Sequence, residues 1–404
     1  MNNNITVNKV AFFDTTWNQI LRVGNEVSKK MKQYAQVNTY GVVYETAENP
    51  TDPNNSPNSF DEIFVTTDIK KLNKYLMDLK ADVVVFAQNT TPDLDAILIA
   101  RKSGAKIVMM QHGLLYDGAS LNNVRIGEII QAISKAKKTL NYFGIIKTMC
   151  DIEHKSFIKI IQSILTKKYN VTTTIQNEFN PPLRGDVAFV IGDHWRDYYS
   201  DNYGYDKNDI YVMGNHDVDD LKSDYSLEEA ICYIPSVHVE DGHVSLHTFE
   251  DFLKALSSSI PDNVKLYIKF HPRSNKELYY KFFENKNVEY ISGPELPYVR
   301  TYIGHNSSLL SKALQISGVL ILWGFKEEPE LFYKDFAYAV CDSSESLIKA
   351  VDYVIAHKEY SRKTDIERFS YRNPDGAYNY CAKKIVEILN LRESVHENSS
   401  LSTN

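Results

Sequence analysis

The strongest constraint on the fold is a pair of apolar runs too continuous for strands with one wet face. Ala81-Asp82-Val83-Val84-Val85-Phe86-Ala87 and Ala105-Lys106-Ile107-Val108-Met109-Met110 flank a helical pattern over residues 92–103. A strand that is apolar on both faces needs cover on both, and parallel sheets obtain it from their crossover helices. The rhythm holds elsewhere. Strands are predicted at 7–13, 37–44 and 62–66, with helices through Ile20, Val23, Val27 and Met31 and over 69–79; the turn-former-rich stretch 49–58 is a loop. Strand signals resume at 186–192 and 209–213, around a short helix at 195–203. The acidic, polar run 217–226 is the best linker. After it comes a second series, with strands at 230–234, 264–270, 288–291, 302–303, 319–323 and 337–340. Helices at 249–256, 276–283, 307–316, 330–333 and 343–356 alternate with them. Two doubly wound α/β domains follow. A helix over 375–391 closes the chain, and the polar tail from 393 is expected to be disordered.

Residues 119–183 interrupt this rhythm. Helices are predicted at 129–140 and 145–169, then an irregular, mobile return through 171–182. Between 128 and 169 there are eight lysines against three acids, interleaved with Ile, Phe, Tyr and Leu. Such a basic amphipathic stretch either forms an ordinary solvated helix face or rests on anionic lipid headgroups.

A chain of 404 residues is long enough for two cores. Its net charge of −7 argues against a nucleic-acid binder that relies on a global positive field. Cys150, Cys232, Cys341 and Cys381 lack C-x-x-C spacing and read as reduced thiols. The opening Met1-Asn2-Asn3-Asn4 lacks a signal-peptide pattern, and no run approaches about 20 apolar residues, so a cytoplasmic protein is expected. No G-x-G-x-x-G follows the first strand, which removes most support for dinucleotide binding there.

Candidate chemistry lies at strand ends. One strand stops at His271-Pro272-Arg273, and a later one breaks at Gly304-His305-Asn306-Ser307-Ser308 before a helical run. Open α/β sheets bind ligands beyond their carboxyl ends, and a helix N-terminus offers unpaired N–H groups, so an anion such as phosphate fits. The plain alternatives are a packed strand-end histidine and serines that only cap the helix. The fifth strand ends in Gln111-His112-Gly113, with Tyr116-Asp117-Gly118 close behind. Either a tight turn or an acid/base group stands there. Glu240-Asp241-Gly242 is a candidate nucleotide-facing loop, and Glu327 in Glu327-Glu328-Pro329-Glu330 is either an acceptor for a ribose or part of an exposed acidic turn.

Lys269-Phe270-His271-Pro272-Arg273 resembles the K-x-H-P segment of bacterial capsule-building glycosyltransferases, and Gly304-His305-Asn306-Ser307-Ser308-Leu309-Leu310 resembles their SS segment. These include polysialyltransferases, other bacterial sialyltransferases and the CDP-glycerol polymerases of wall teichoic acid. Gly214-Asn215 is similar to their G-N-P turn, with His216 in place of proline. The resemblance implies a GT-B fold: two Rossmann-like domains (1–220 and 221–375) with an interdomain cleft and a C-terminal helix (376–392) that crosses back, before a tail at 393–404. It implies that His271, Ser307 and Ser308 bind the donor phosphate, with Lys269, Pro272, Arg273 and Gly304 around them. For the acceptor side it implies His112 as general base with Asp117 as partner or replacement; the double acid of the sialyltransferases is absent here. The implied activity is inverting transfer from a nucleotide sugar, foremost a CMP-activated nonulosonic acid, to a glycan or lipid-linked acceptor; the protein is expected in the cytoplasm, with the basic stretch as the candidate peripheral contact with the inner face of the plasma membrane. No D-x-D is placed for a metal, since Asp217-Val218-Asp219 falls in the linker, so no cofactor is expected. A UDP-sugar or polyol-phosphate transferase, a GT-B-fold UDP-sugar 2-epimerase and a non-catalytic capsule scaffold are the alternatives.

Overall fold

The computed structural model describes residues 7–45, 57–87, 90–111, 140, 142–166, 171–222, 224–240, 242, 244–293, 295–317, 319–326, 331, 333–357 and 366–401, with backbone only at 19 and 391–401. The chain divides into two compact units, Met1–His216 with Tyr371–Asn404, and Asp217–Ser370.

The first unit begins with β1 (Asn8–Asp14), α1 (Trp17–Gln19), a π turn at Ile20–Gly24, α2 (Asn25–Met31), β2 (Val37–Tyr44) and β3 (Glu62–Thr66). It continues through α3 (Ile69–Leu79), β4 (Val83–Phe86), α4 (Thr91–Lys102) and β5 (Lys106–Met110). Then come α5 (Phe143–Ile152), α6 (Phe157–Thr166), α7 (Val171–Glu178), β6 (Val187–Val190), α8 (Asp193–Tyr203) and β7 (Ile210–Val212). The sheet order is β3-β2-β1-β4-β5-β6-β7, with every neighbouring pair parallel. Helix α4 is buried from Thr91 to Ala100, as the apolar runs on either side of it demand. Its start is fixed by a capping box between Thr90 and Asp93, with Pro92 in the first turn.

The second unit holds β8 (Glu228–Ile234), α9 (Leu246–Ser259), β9 (Leu266–Lys269), α10 (Glu277–Phe283), β10 (Val288–Ile291) and β11 (Val299–Gly304). It ends with α11 (Leu309–Ile316), β12 (Val319–Trp323), β13 (Ala339–Cys341), α12 (Ser344–Ala356) and α13 (Ile366–Phe369). Its order is β10-β9-β8-β11-β12-β13, again all parallel. The core on one face joins Tyr233, Phe249, Phe252, Ile268, Ile303, Ile321 and Val351. In both sheets the first strand is central and the order reverses beside it.

The chain then returns to the first unit. The N–H groups of Tyr371 and Asn215 pair with the carbonyls of Ile191 and Tyr371 at 2.9 and 2.7 Å, and α14 (Ala377–Leu401) packs against α2.

Four elements differ from expectation. The helix foreseen at 145–169 is two helices, because His154 turns left-handed at φ +52° and the Lys155 N–H closes on the Cys150 carbonyl at 2.9 Å. The irregular return begins with a helix instead: Val171, Thr174 and Ile175 bury on one face, and that packing overrides the β preference of Val and Thr. Around Tyr333 the backbone is a turn, not a helix. Beyond 393 the helix runs on to Leu401, in a stretch without proline or glycine to stop it. The strand expected at 264–270 is present as β9, buried throughout Leu266–Lys269. The four cysteines are buried thiols. The helix expected at 129–140 lies outside the described residues except for Leu140. Among the described residues no helix is long and apolar enough to cross a membrane.

Candidate functional site

In the second unit β9, β8 and β11 are neighbours, so the loops that leave their carboxyl ends lie side by side where the strand order reverses. That reversal is the ligand-binding position of open α/β sheets. The β9 loop carries His271, half-buried, with Pro272 and Arg273 exposed. His271 Nδ1 accepts the Arg273 N–H at 3.1 Å. A ring nitrogen that accepts carries no proton, so in the neutral imidazole Nε2–H is the donor. The β11 loop leads into α11 with Ser307 half-buried and Ser308 exposed. Ser307 Oγ accepts the Leu309 N–H at 3.4 Å, and no side chain caps the helix from Ser308. Two ties hold the intervening β8 loop: Ser236 Oγ donates to the Asn306 carbonyl at 3.0 Å, and Glu240 accepts the Asn275 N–H at 2.7 Å. The rim thus presents an imidazole, a guanidinium, two hydroxyls and a helix N-terminus, all suited to an anion.

Other residues of the same motifs have structural work. Lys269 is 5% exposed and its ammonium donates to the carbonyls of Phe270, at 3.5 Å, and Gly293. Burial, with the Lys312 charge adding to it, pushes its pKa down. Lys269 was expected at the phosphate; here its ammonium ties the end of β9 to the Gly293 carbonyl. A Cβ on Gly304 would stand 2.8 Å from Leu310 Cδ2, so this glycine lets α11 approach the sheet. His305 is fully buried. Its Nδ1–H donates to the Trp323 carbonyl at 3.0 Å, which leaves Nε2 to accept the Tyr233 hydroxyl at 3.0 Å. Burial holds its pKa well below the ordinary histidine value, so the ring is neutral. It stacks on Phe325 at 4.8 Å.

His238 lies in none of the motifs above. This residue follows β8, is 4% exposed and meets His305 edge-on at 4.8 Å. The strand-end rule that picked out His271 finds it once Pro235 is taken as the break after 230–234.

A second group of polar side chains sits at the corresponding reversal of the first unit, between β1 and β4. Asp14 ends β1, 2% exposed, and its Oδ1 accepts the Thr16 N–H at 3.0 Å. Asp93 is fully buried and accepts the Thr90 N–H at 2.6 Å and the Thr90 hydroxyl. Burial raises their pKa values to about 6 and about 8, and the Asp14 charge adds to the rise at Asp93. Asp95 is raised to about 7, also by burial. These carboxyls ionise near neutrality, where general acids and bases are effective. His112, Asp117 and Glu327 lie outside the described residues.

No protein family matches the sequence, and no curated protein does. Solved structures do match in three dimensions. The UDP-GlcNAc 2-epimerase of Methanocaldococcus jannaschii, in complex with UDP-GlcNAc and UDP, aligns over 96% of this chain and 100% of its own, with TM-score 0.53 and 15% identity. The fold is GT-B. The UDP-GlcNAc 2-epimerase of Neisseria meningitidis, bound to UDP-GlcNAc, aligns over 94% of this GT-B chain and 99% of its own, with TM-score 0.50 and 13% identity. The glycotransferase of kitacinnamycin gives 0.52 at 10% identity, over 95% and 99%. At these identities the GT-B likeness describes the path of the chain and no activity.

Proposed function

We propose that this GT-B chain is a glycosyltransferase that binds a nucleotide-activated sugar at the carboxyl rim of its second unit and transfers the sugar, with inversion, to a surface-glycan hydroxyl. The observation that carries this reading is the grouping of His271 Nε2–H, Arg273 and the Ser307–Ser308 helix start around the β8 loop. A departing nucleoside phosphate gains negative charge, and donors already in place lower that barrier without a metal ion. The motifs name a CMP-linked nonulosonic acid or CDP-glycerol as donor. Because β8 lies between them, the His271 and Ser307 loops stand two strand spacings apart, roughly 9.5 Å. That gap suits a diphosphate bridging both loops, and solved neighbours hold UDP-GlcNAc. A UDP-linked sugar therefore ranks ahead of a CMP-linked one. His112, with Asp117, remains the assigned base.

A UDP-sugar 2-epimerase is the second reading, favoured by the epimerases among the solved neighbours. It needs acid/base groups and no acceptor. Thermal stabilisation by UDP, CMP, CDP and GDP tests the donor class, since a ligand that binds only the folded state raises its melting temperature. UDP should give the largest shift and His271→Ala should abolish it; an equal shift in the variant refutes the site. Incubation with UDP-sugars alone then separates the two reactions: new sugar stereochemistry without acceptor marks the epimerase.

A further inference from the structure

Helix α6 carries apolar side chains beyond the face it buries. Ile160 and Ile164 are buried, 3% and 0% exposed, among its neighbours α5 and α7. At 100° per residue, Ile158 and Leu165 form a stripe about a third of a turn around the helix from them, with the half-buried Ile161 between, and there Ile158 is 68% and Leu165 60% exposed. The stripe continues onto α5, where Phe143, 45% exposed, meets Phe157 edge-on at 4.6 Å. An amphipathic helix needs one apolar face to join a fold; a second one left in water points to a further contact. The location agrees. One helix suffices for a parallel crossover, and α7 already leads into β6, so α5 and α6 are extra material in the β5–β6 connection.

Charge identifies the occupant. The protein is acidic overall at −7, yet residues 128–169 carry eight lysines and three acids, with Lys147, Lys155 and Lys159 among the described residues. Lys147 and Lys159 are exposed beside the apolar stripe. Aliphatic tips flanked by lysines match the boundary between acyl chains and anionic headgroups, where the tips lose water and the ammonium groups meet phosphate. We propose that Ile158, Ile161 and Leu165 of α6 insert into an anionic bilayer surface while Lys147 and Lys159 contact its headgroups. The helix lies along the surface and does not span.

Cosedimentation of the full chain with vesicles tests this. Wild type should bind phosphatidylcholine vesicles containing phosphatidylglycerol and bind pure phosphatidylcholine weakly, with binding falling as salt rises. I158S/L165S should lose about tenfold or more in partition, as expected for two exposed aliphatic side chains leaving an interface. K147E/K159E, which leaves every apolar contact in place, should lose the preference for anionic vesicles even if the serine pair alters folding. Equal partition of wild type and both variants overturns the assignment. So does a wild type that ignores vesicles and self-associates in solution through the stripe, with I158S/L165S monomeric. Vesicle binding is read without substrate, so its failure leaves the nucleotide-sugar reading untouched.

Discussion

Asp93 is the residue whose environment conflicts most with its chemistry. It accepts the Thr90 N–H as part of the α4 capping box, yet it is fully buried near Asp14, with Tyr142 also in its field. Its pKa in the folded chain is about 8 against 3.8 for an ordinary aspartate, and that of Asp14 is about 6. A carboxyl raised on folding keeps its proton in the native state while the unfolded chain has already lost it. The stabilising effect is complete below about pH 4 and is eroded as pH rises toward 8. Asp93→Asn keeps an acceptor for the cap and removes the titration. The variant should therefore gain melting temperature relative to wild type as pH climbs from 5 to 8; a constant difference across that range excludes Asp93 as the titrating group. Residue scale is also where the sequence misleads most. His271 and the two serines are legible because they follow strand ends. Lys269 and Gly304 belong to the same motifs, but only packing shows that one holds backbone carbonyls and the other makes room for Leu310.

At the scale of elements, the turn after β7 decides whether the returning chain can dock. Gly214 has φ +93°, and a Cβ there would lie 2.8 Å from Asn373 Cβ and 3.1 Å from the Tyr371 carbonyl. Asn373 Nδ2 donates to the Met213 carbonyl at 2.8 Å across the same junction. Gly214→Ala adds backbone strain and steric overlap, each of order 1–2 kcal/mol, so a loss of about 3 kcal/mol is expected. Chemical denaturation of the variant measures it; an unchanged midpoint means the junction relaxes freely. The Gly214-Asn215 motif was visible in the sequence as a likeness, while its partner, more than 150 residues away, was not. The strands were legible because their apolar runs reflect burial on both faces. Helices α5 and α6 were legible as helix but not as two, because a left-handed His154 breaks a continuous periodic pattern; α7 was not legible, because Val171–Glu178 carries strand-forming residues on a buried helical face.

On the scale of the whole molecule, sequence order and spatial unit disagree. The second unit is one uninterrupted segment, Asp217–Ser370, whereas the first is completed only by Tyr371 onward. The consequence is asymmetric. Residues 217–370 contain a full six-stranded sheet and its own aromatic-rich core, in a length typical of independent domains. Expressed alone, they should melt cooperatively. A chain ending at 370 loses α14, whose Ala377, Cys381, Ala382, Ile385, Val386 and Leu389 are all buried, together with the Tyr378 ring stacked on His216 at 4.9 Å. At about 1.5–3 kcal/mol for each fully buried aliphatic side chain, that loss rivals the 5–15 kcal/mol that holds a typical domain folded. The 1–370 chain should therefore retain one cooperative melting transition, belonging to residues 217–370, and proteolysis should digest the remainder. Two transitions in the 1–370 chain, or protease resistance of its residues 7–216, would mean that the first sheet closes its core without the returning helix.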